Sequence, residues 1–197
     1  MTLLSEKIKP FHVILGSKSP RRHELLKHII PHFDIVNVDI NEDFPKSMAI
    51  NEVAQFIAEK KANYFLSKQN SNEIYITADT IVVLDNEILG KPKDENDAYQ
   101  MLKYLSGKTH LVHTGVAILH KQKIYSFFDE TAVTFYPLSD IEIRDYIKRC
   151  KPFDKAGSYG IQDWMGYVGI QKMEGDFFNV MGLPLHRLYR ELNALLN

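Results

Sequence analysis

The chain is 197 residues long, 45% hydrophobic and 25% charged, with 24 basic and 25 acidic residues and a formal net charge of −1. This is the composition of a globular chain with enough core for one sizeable domain, in one or two lobes, and it leaves no global charge with which to hold a nucleic-acid polymer. A single cysteine, Cys150, excludes an intrachain disulfide and disfavours a zinc cluster, and no stretch approaches the ~20 apolar residues of a membrane span, so a cytoplasmic chain with no membrane partner is expected.

Phe11 to Gly16 predicts a first strand, preceded by nothing that resembles a signal segment, because Val13-Ile14-Leu15 is too short an apolar run. Ser17-Lys18-Ser19-Pro20-Arg21-Arg22 then turns into a helix running to about Ile30. Ser19 suits the N-cap and Pro20 the first helical position. Arg21 and Arg22 stand where the helix macrodipole disfavours cations. Two arginines, Lys18, two serine hydroxyls and free helix-start N–H groups together suit a phosphate cradle; a solvated basic helix start is the plainer reading.

Asp34 to Val38 predicts a short second strand. The loop from Asp39 to Pro45 carries Asp39, Glu42 and Asp43. It is either simply solvated or lends one carboxylate, Glu42, to a hard cation. Ile50 to about Lys68 has Ile50, Val53, Ala54, Ile57, Ala58 and Phe65 at helical spacing. Lys61 falls near the centre of that stripe and Lys60 toward its edge. A lysine so placed either lies along the core with its head in water or reaches an anion.

Ile74 to Leu84, rich in β-branched residues, predicts a strand with Asp79 in its middle, a residue type that strands disfavour. An ionised carboxylate taken out of water there needs a cation or donors. Asp79 is therefore either an acid at the water's edge or a metal ligand or general base. Asp85-Asn86 marks a tight turn and Glu87 to Gly90 returns. Lys91-Pro92 follows, so only a hairpin separates Lys91 from Asp79, and both can face one cleft. Asp94 caps a helix that ends at Gly107, with Ala98, Met101, Leu102 and Leu105 inward.

Thr109 to His120 and Lys123 to Tyr136 predict the longest strand pair, joined at Lys121-Gln122. His110 and His113 point to opposite faces of their strand, so they are no metal pair. Ser139 and Glu142 form a capping box that opens a helix to about Cys150. Asp154 to Gln162 is a polar loop whose glycines permit close approach of backbone to a ligand, and Gln162 offers both a donor and an acceptor to a base; an ordinary loop has the same composition. The loop leads into a strand predicted around Tyr167 to Met173. Glu174-Gly175-Asp176 turns, and Leu183-Pro184 starts a last helix with Leu185, Leu188 and Leu195 as core.

Taken together, Ile14 to Leu26 (ILGSKSPRRHELL), Ala78-Asp79-Thr80 with Gly90-Lys91-Pro92, Asp154-Lys155-Ala156-Gly157 to Gln162, Glu174-Gly175-Asp176 and Asn179 to Pro184 resemble the motifs of the Maf family of nucleoside triphosphate pyrophosphatases, in order and over nearly the whole chain. Gly16 stands where that family usually has alanine. The resemblance implies an α/β fold, a strongly twisted mixed sheet flanked by helices, with two lobes around a central cleft, in a single domain spanning residues 1–197. It implies a homodimer and hydrolysis of a nucleoside triphosphate to the monophosphate and pyrophosphate with a divalent cation, Mg or Mn. By that resemblance the residue matching Asp79 is the proton acceptor, and those matching Ser17, Arg21, Arg22, Glu42, Lys61, Lys91 and Gln162 line the site. On the reading of the residues themselves, Asp79 and Glu42 are the expected metal ligands, and Thr80 joins Gln162 in reading or positioning the base. The subgroup with Arg21, Thr80 and Gln162 at these positions resembles enzymes acting on dTTP and UTP. A sister subgroup prefers 7-methyl-GTP, and a non-catalytic role as a nucleotide-binding regulator of cell division is the reading from another class. Asp79 in its strand favours the enzyme, because a binding module has no use for a water-activating carboxylate.

Overall fold

A computed structural model describes residues 3–197. A short helix α1 (Leu4–Lys7) precedes β1 (His12–Gly16), α2 (Pro20–Lys27), β2 (Asp34–Ile35) and α3 (Ile50–Asn63). The hairpin β3 (Glu73–Leu84) and β4 (Glu87–Leu89), helix α4 (Glu95–Leu105) and the strands β5 (Thr109–His120) and β6 (Lys123–Phe135) follow. Helix α5 (Asp140–Cys150), the short α6 (Trp164–Val168), β7 (Ile170–Glu174), the short α7 (Phe177–Met181) and α8 (Leu185–Leu195) complete the chain. The strands form one mixed sheet in the order β2-β1-β3-β5-β6-β7, with β4 on β3. β1 is parallel to β2 and β3, whereas β4 and β7 run antiparallel to β3 and β6. The α/β class with a helix-flanked mixed sheet is thus the observed architecture.

The chain divides into two compact units. The first comprises the chain to Asp79, residues 114–129 and residues 182–197; the second comprises 80–113 and 130–181. In the first unit, Ile14, Val38, Ala58, Ala62, Phe65, Tyr75, Ala117 and Leu119 form a buried cluster. Helix α3 lies close on the sheet because Gly115 has no side chain: a Cβ there would come within 2.3 Å of the Ala54 carbonyl. Thr77 Oγ1 donates to the Ala58 carbonyl at 2.7 Å, which satisfies a buried hydroxyl and ties α3 to β3. In the second unit, Val82, Leu102, Leu105, Val133, Phe135, Ile143, Tyr146 and Met165 belong to one core. Asp94 caps α4 by accepting from the Asp97 N–H at 2.8 Å, and the Ser139–Glu142 capping box opens α5 as the sequence predicts.

Several boundaries differ from the sequence reading. Helix α2 stops at Lys27 rather than near Ile30, its chain tightening through His28 N–H to Leu25 O and Ile29 N–H to Leu26 O before Pro31. β2 is two residues long, not five. Helix α3 ends at Asn63, followed by a 3-10 turn at Leu66–Lys68, because Phe65 turns inward to stack on Tyr75 at 4.4 Å. Trp164–Val168 is a helical turn rather than the start of the strand predicted from Tyr167. Gly166 lies where a Cβ would stand 1.6 Å from the Ile161 carbonyl oxygen, so the chain folds back on itself there. Tyr167 is 80% exposed, so its strand propensity has no sheet to act on. In α8 the inward positions are Leu185, Leu188 and Leu192, and Leu195 is half-buried.

Candidate functional site

Lys61 occupies the last turn of α3 and is 8% exposed, as its place in the centre of the apolar stripe requires. Its ammonium donates to Asp79 Oδ1 at 2.7 Å and lies 2.8 Å from Glu42 Oε1. The two carboxylates are not equivalent. Asp79, on β3, has a side chain 13% exposed, whereas Glu42, on the loop before α3, is 53% exposed. Asp79 thus has the cation that a desolvated carboxylate needs, and Glu42 reaches the same cation from the solvent side.

Arg22, in the first turn of α2, is half-buried. Its Nη1 donates to the Ala78 carbonyl at 2.9 Å and its Nε to the Gly182 carbonyl at 2.7 Å. These contacts lock the guanidinium against the residue preceding Asp79. Burial lowers the pKa of Arg22 from its ordinary value; Asp79 opposes that shift, Arg21 adds to it and Glu42 opposes it. Arg21, Arg22, Glu42, Lys61 and Asp79 therefore form one charge cluster in the first unit. The macrodipole conflict seen in the sequence is resolved by these acidic and carbonyl partners, which lie outside the helix.

Ser17 is buried at the β1–α2 turn, and its Oγ accepts from the Ser19 N–H at 3.2 Å. One N–H expected to be open to a phosphate is thus satisfied internally. Ser19 holds the N-cap position but makes no capping bond with its side chain. Lys18 pairs with Asp39 at 3.3 Å on the exposed surface. Gly16 is tightly enclosed: an added Cβ would stand 2.8 Å from Thr77 Cγ2 and 2.9 Å from the Phe65 ring.

The remaining predicted residues, Thr80, Lys91 and Gln162, belong to the second unit. Thr80 is half-buried and follows Asp79 directly on β3. Lys91 is exposed and follows Gly90, whose carbonyl accepts from the Gly157 N–H at 3.1 Å. This bond ties the β4 end to the loop that carries Gln162. Gly157 needs its positive φ of 67° there, and Val82 packs beneath it. Gln162 is half-buried, and its Oε1 is buried without a hydrogen-bond partner. Such an atom is costly unless something else completes it.

Sequence reasoning missed the backbone acceptors that hold Arg22, the carbonyls of Ala78 and Gly182, because every residue type carries such a group and none signals it. As to a metal, Asp79 and Glu42 each give one oxygen to the Lys61 ammonium, and each carboxylate has a second oxygen. Hard divalent cations take one or two carboxylates together with phosphate oxygens, so the chemistry of this donor set fits such an ion beside the lysine.

The sequence model of the family described as "Maf-like protein" matches residues 12–195. A dTTP/UTP pyrophosphatase of Porphyromonas gingivalis is 47% identical over 190 residues, 95% of this chain and 96% of that one. The protein of the same name from Phocaeicola vulgatus is 47% identical over 191 residues, 96% of this chain and 99% of that one. The Bacillus cereus dTTP/UTP pyrophosphatase is 45% identical over 180 residues, 91% and 93% of the two chains. Among solved structures, the Staphylococcus aureus Ham1 protein aligns with a TM-score of 0.43 and 12% identity, over 63% of this chain and 71% of that one, too slight a likeness to carry an argument.

Proposed function

The chain belongs to the Maf family, and from that membership and the Lys61-centred cluster we infer that it is a nucleoside triphosphate pyrophosphatase, hydrolysing dTTP and UTP to the nucleoside monophosphate and pyrophosphate. The observation that carries the reading is one buried ammonium shared by a desolvated carboxylate and a solvent-side carboxylate, with an arginine locked beside them.

Asp79 has the role of proton acceptor. Its carboxylate is oriented by the Lys61 ammonium while it takes a proton from the attacking water. Arg21, Arg22 and Lys61 neutralise charge on the polyphosphate and on departing pyrophosphate, and Lys91 supplies a further cation. Glu42 and Asp79 would hold a divalent cation, Mg or Mn, which when bound supplies Lewis-acid polarisation of the phosphoryl group. Ser17 lines the phosphate end, and Thr80 and Gln162 select the base. The working enzyme is a cytoplasmic homodimer acting on free nucleotides. Among the described residues, no helix is long and apolar enough to cross a membrane.

The test is pyrophosphate release across a panel of unmodified and modified triphosphates, 7-methyl-GTP included, with and without Mg or Mn. Release from dTTP and UTP above all others, dependent on the added ion, is the expected result. Preference for 7-methyl-GTP would move the chain to the sister specificity, and nucleotide binding without release from any triphosphate would make it a regulator.

A further inference from the structure

Gln162 has no side-chain hydrogen bond that would fix its carbonyl oxygen. Its position must therefore come from the backbone on either side of it, and that backbone is clamped by one residue far away in sequence. Tyr146 projects from α5 into the core of the second unit and is fully buried. Its hydroxyl accepts from the Gly160 N–H at 3.1 Å and donates to Asp163 Oδ2 at 3.2 Å. Gly160 is two residues before Gln162, and Asp163 is the next residue after it.

The clamp has further parts. The Asp163 N–H closes a turn onto the Gly160 carbonyl at 3.1 Å, so the two residues held by Tyr146 also hold each other across Gln162. Lys155, with a side chain 12% exposed, lies 3.6 Å from Asp163 Oδ2 and so holds that side chain from the other side. The Tyr146 ring stacks on Trp164 at 6.5 Å and 27°. A buried phenol that uses both its donor and its acceptor on one short loop sets the geometry of that loop.

On the reading that Gln162 selects the base, we propose that Tyr146 and Asp163 are positioning residues for nucleotide selectivity: they hold Gln162 where it distinguishes uracil and thymine from other bases, and they touch neither the phosphates nor the reacting water. Loosening the clamp should then cost affinity for the favoured bases and spare the chemistry.

The experiment compares the full-length wild type with Tyr146→Phe, Asp163→Asn, Gln162→Ala and the double variant Tyr146→Phe/Gln162→Ala, using dTTP, UTP, dCTP and GTP. Tyr146→Phe keeps the ring and its packing and removes the hydroxyl alone. The expected result is a rise in KM for dTTP and UTP of about tenfold, with kcat within about twofold and little change for dCTP and GTP. Because both single changes act on the same amide, the double variant should be no worse than Gln162→Ala. A purely structural role predicts lower Tm, equal losses for all four nucleotides and additive effects, and that pattern overturns the proposal. Should Tyr146→Phe fail to fold, Asp163→Asn carries the same comparison from a half-buried position. Hydrogen exchange at residues 157–163 reads the clamp without turnover: it should speed up in Tyr146→Phe, and unchanged exchange overturns the clamp. Selectivity unchanged in Gln162→Ala overturns the base-reading step instead, and a wild type that hydrolyses none of the four overturns the proposed function.

Discussion

Lys61 is a cation that the fold places before any substrate arrives, and its two carboxylates dictate how variants there behave. Asp79→Asn keeps the side-chain volume and removes the proposed proton acceptor, so pyrophosphate release should fall at least about 100-fold while the circular dichroism spectrum stays native. Activity near wild type would remove Asp79 from the centre of the mechanism. Lys61→Met preserves the apolar stem but strands Asp79 without its cation. Its cost should be about 1–3 kcal/mol in urea unfolding, larger than that of Glu42→Gln, because Glu42 is half in water and its pair is screened. Combining Lys61→Met with Asp79→Asn should recover part of that loss, since the carboxylate left without Lys61 is then only the half-exposed Glu42. The central place of Lys61 in its stripe and the misplaced charges of Arg21 and Arg22 were legible in the sequence as conflicts between residue type and position. The partners that resolve those conflicts were not, because they come from the loop before α3, from β3 and from the chain before α8.

At the scale of elements, turns and close approaches decide what the periodic pattern cannot. Gly115 on β5 lets the backbone of α3 come into direct contact with the sheet. Gly115→Ala should therefore cost at least about 3 kcal/mol in denaturant unfolding, as the helix carrying Lys61 is pushed off its strand. The β5–β6 turn works in the opposite direction. Lys121 and Gln122 both hold positive φ, 48° and 60°, the pattern of a turn for which Asn-Gly is better suited. Replacing the pair by Asn-Gly should raise stability by about 0.5–1 kcal/mol in thermal melts, the relief of strain in the native turn outweighing the freedom that glycine adds to the unfolded chain. Strand β3, the Asp85-Asn86 turn and the α5 capping box were readable because their signals are local. Helix α6 was not: Tyr167 and Val168 favour a strand, and only the contact of Gly166 with the Ile161 carbonyl turns the chain.

For the molecule as a whole, the buried polar groups set how stability follows pH. His110 lies in the core of the second unit, with Nε2 at 2.7 Å from the Tyr159 hydroxyl, and burial pushes its pKa down to about 4. The unfolded chain, with an ordinary histidine value of about 6.5, binds a proton in the interval where the folded chain does not. Stability should therefore fall as pH drops from about 6.5 to about 4, by on the order of 3 kcal/mol from this residue, and His110→Gln should flatten that slope in melts taken at successive pH values. Metal removal tests a different property. Since Lys61 already bridges Asp79 and Glu42, chelation should abolish pyrophosphate release and shift Tm by no more than about 2 °C, the shift that about 0.5–1 kcal/mol produces in a chain of this size. A large drop in Tm would mean that the ion, not the lysine, holds the two carboxylates together.

The sequence by itself determined the α/β class, the principal strands and helices and the family, and it nominated the residue types of the candidate site, because these depend on periodicity, capping chemistry and motifs that lie within a few residues of one another. Only the tertiary structure decided which carboxylates share Lys61, which carbonyls lock Arg22 and which phenol holds the loop of Gln162. Those contacts join positions between 14 and 160 residues apart, and no local pattern encodes which buried donor meets which acceptor once the core has closed.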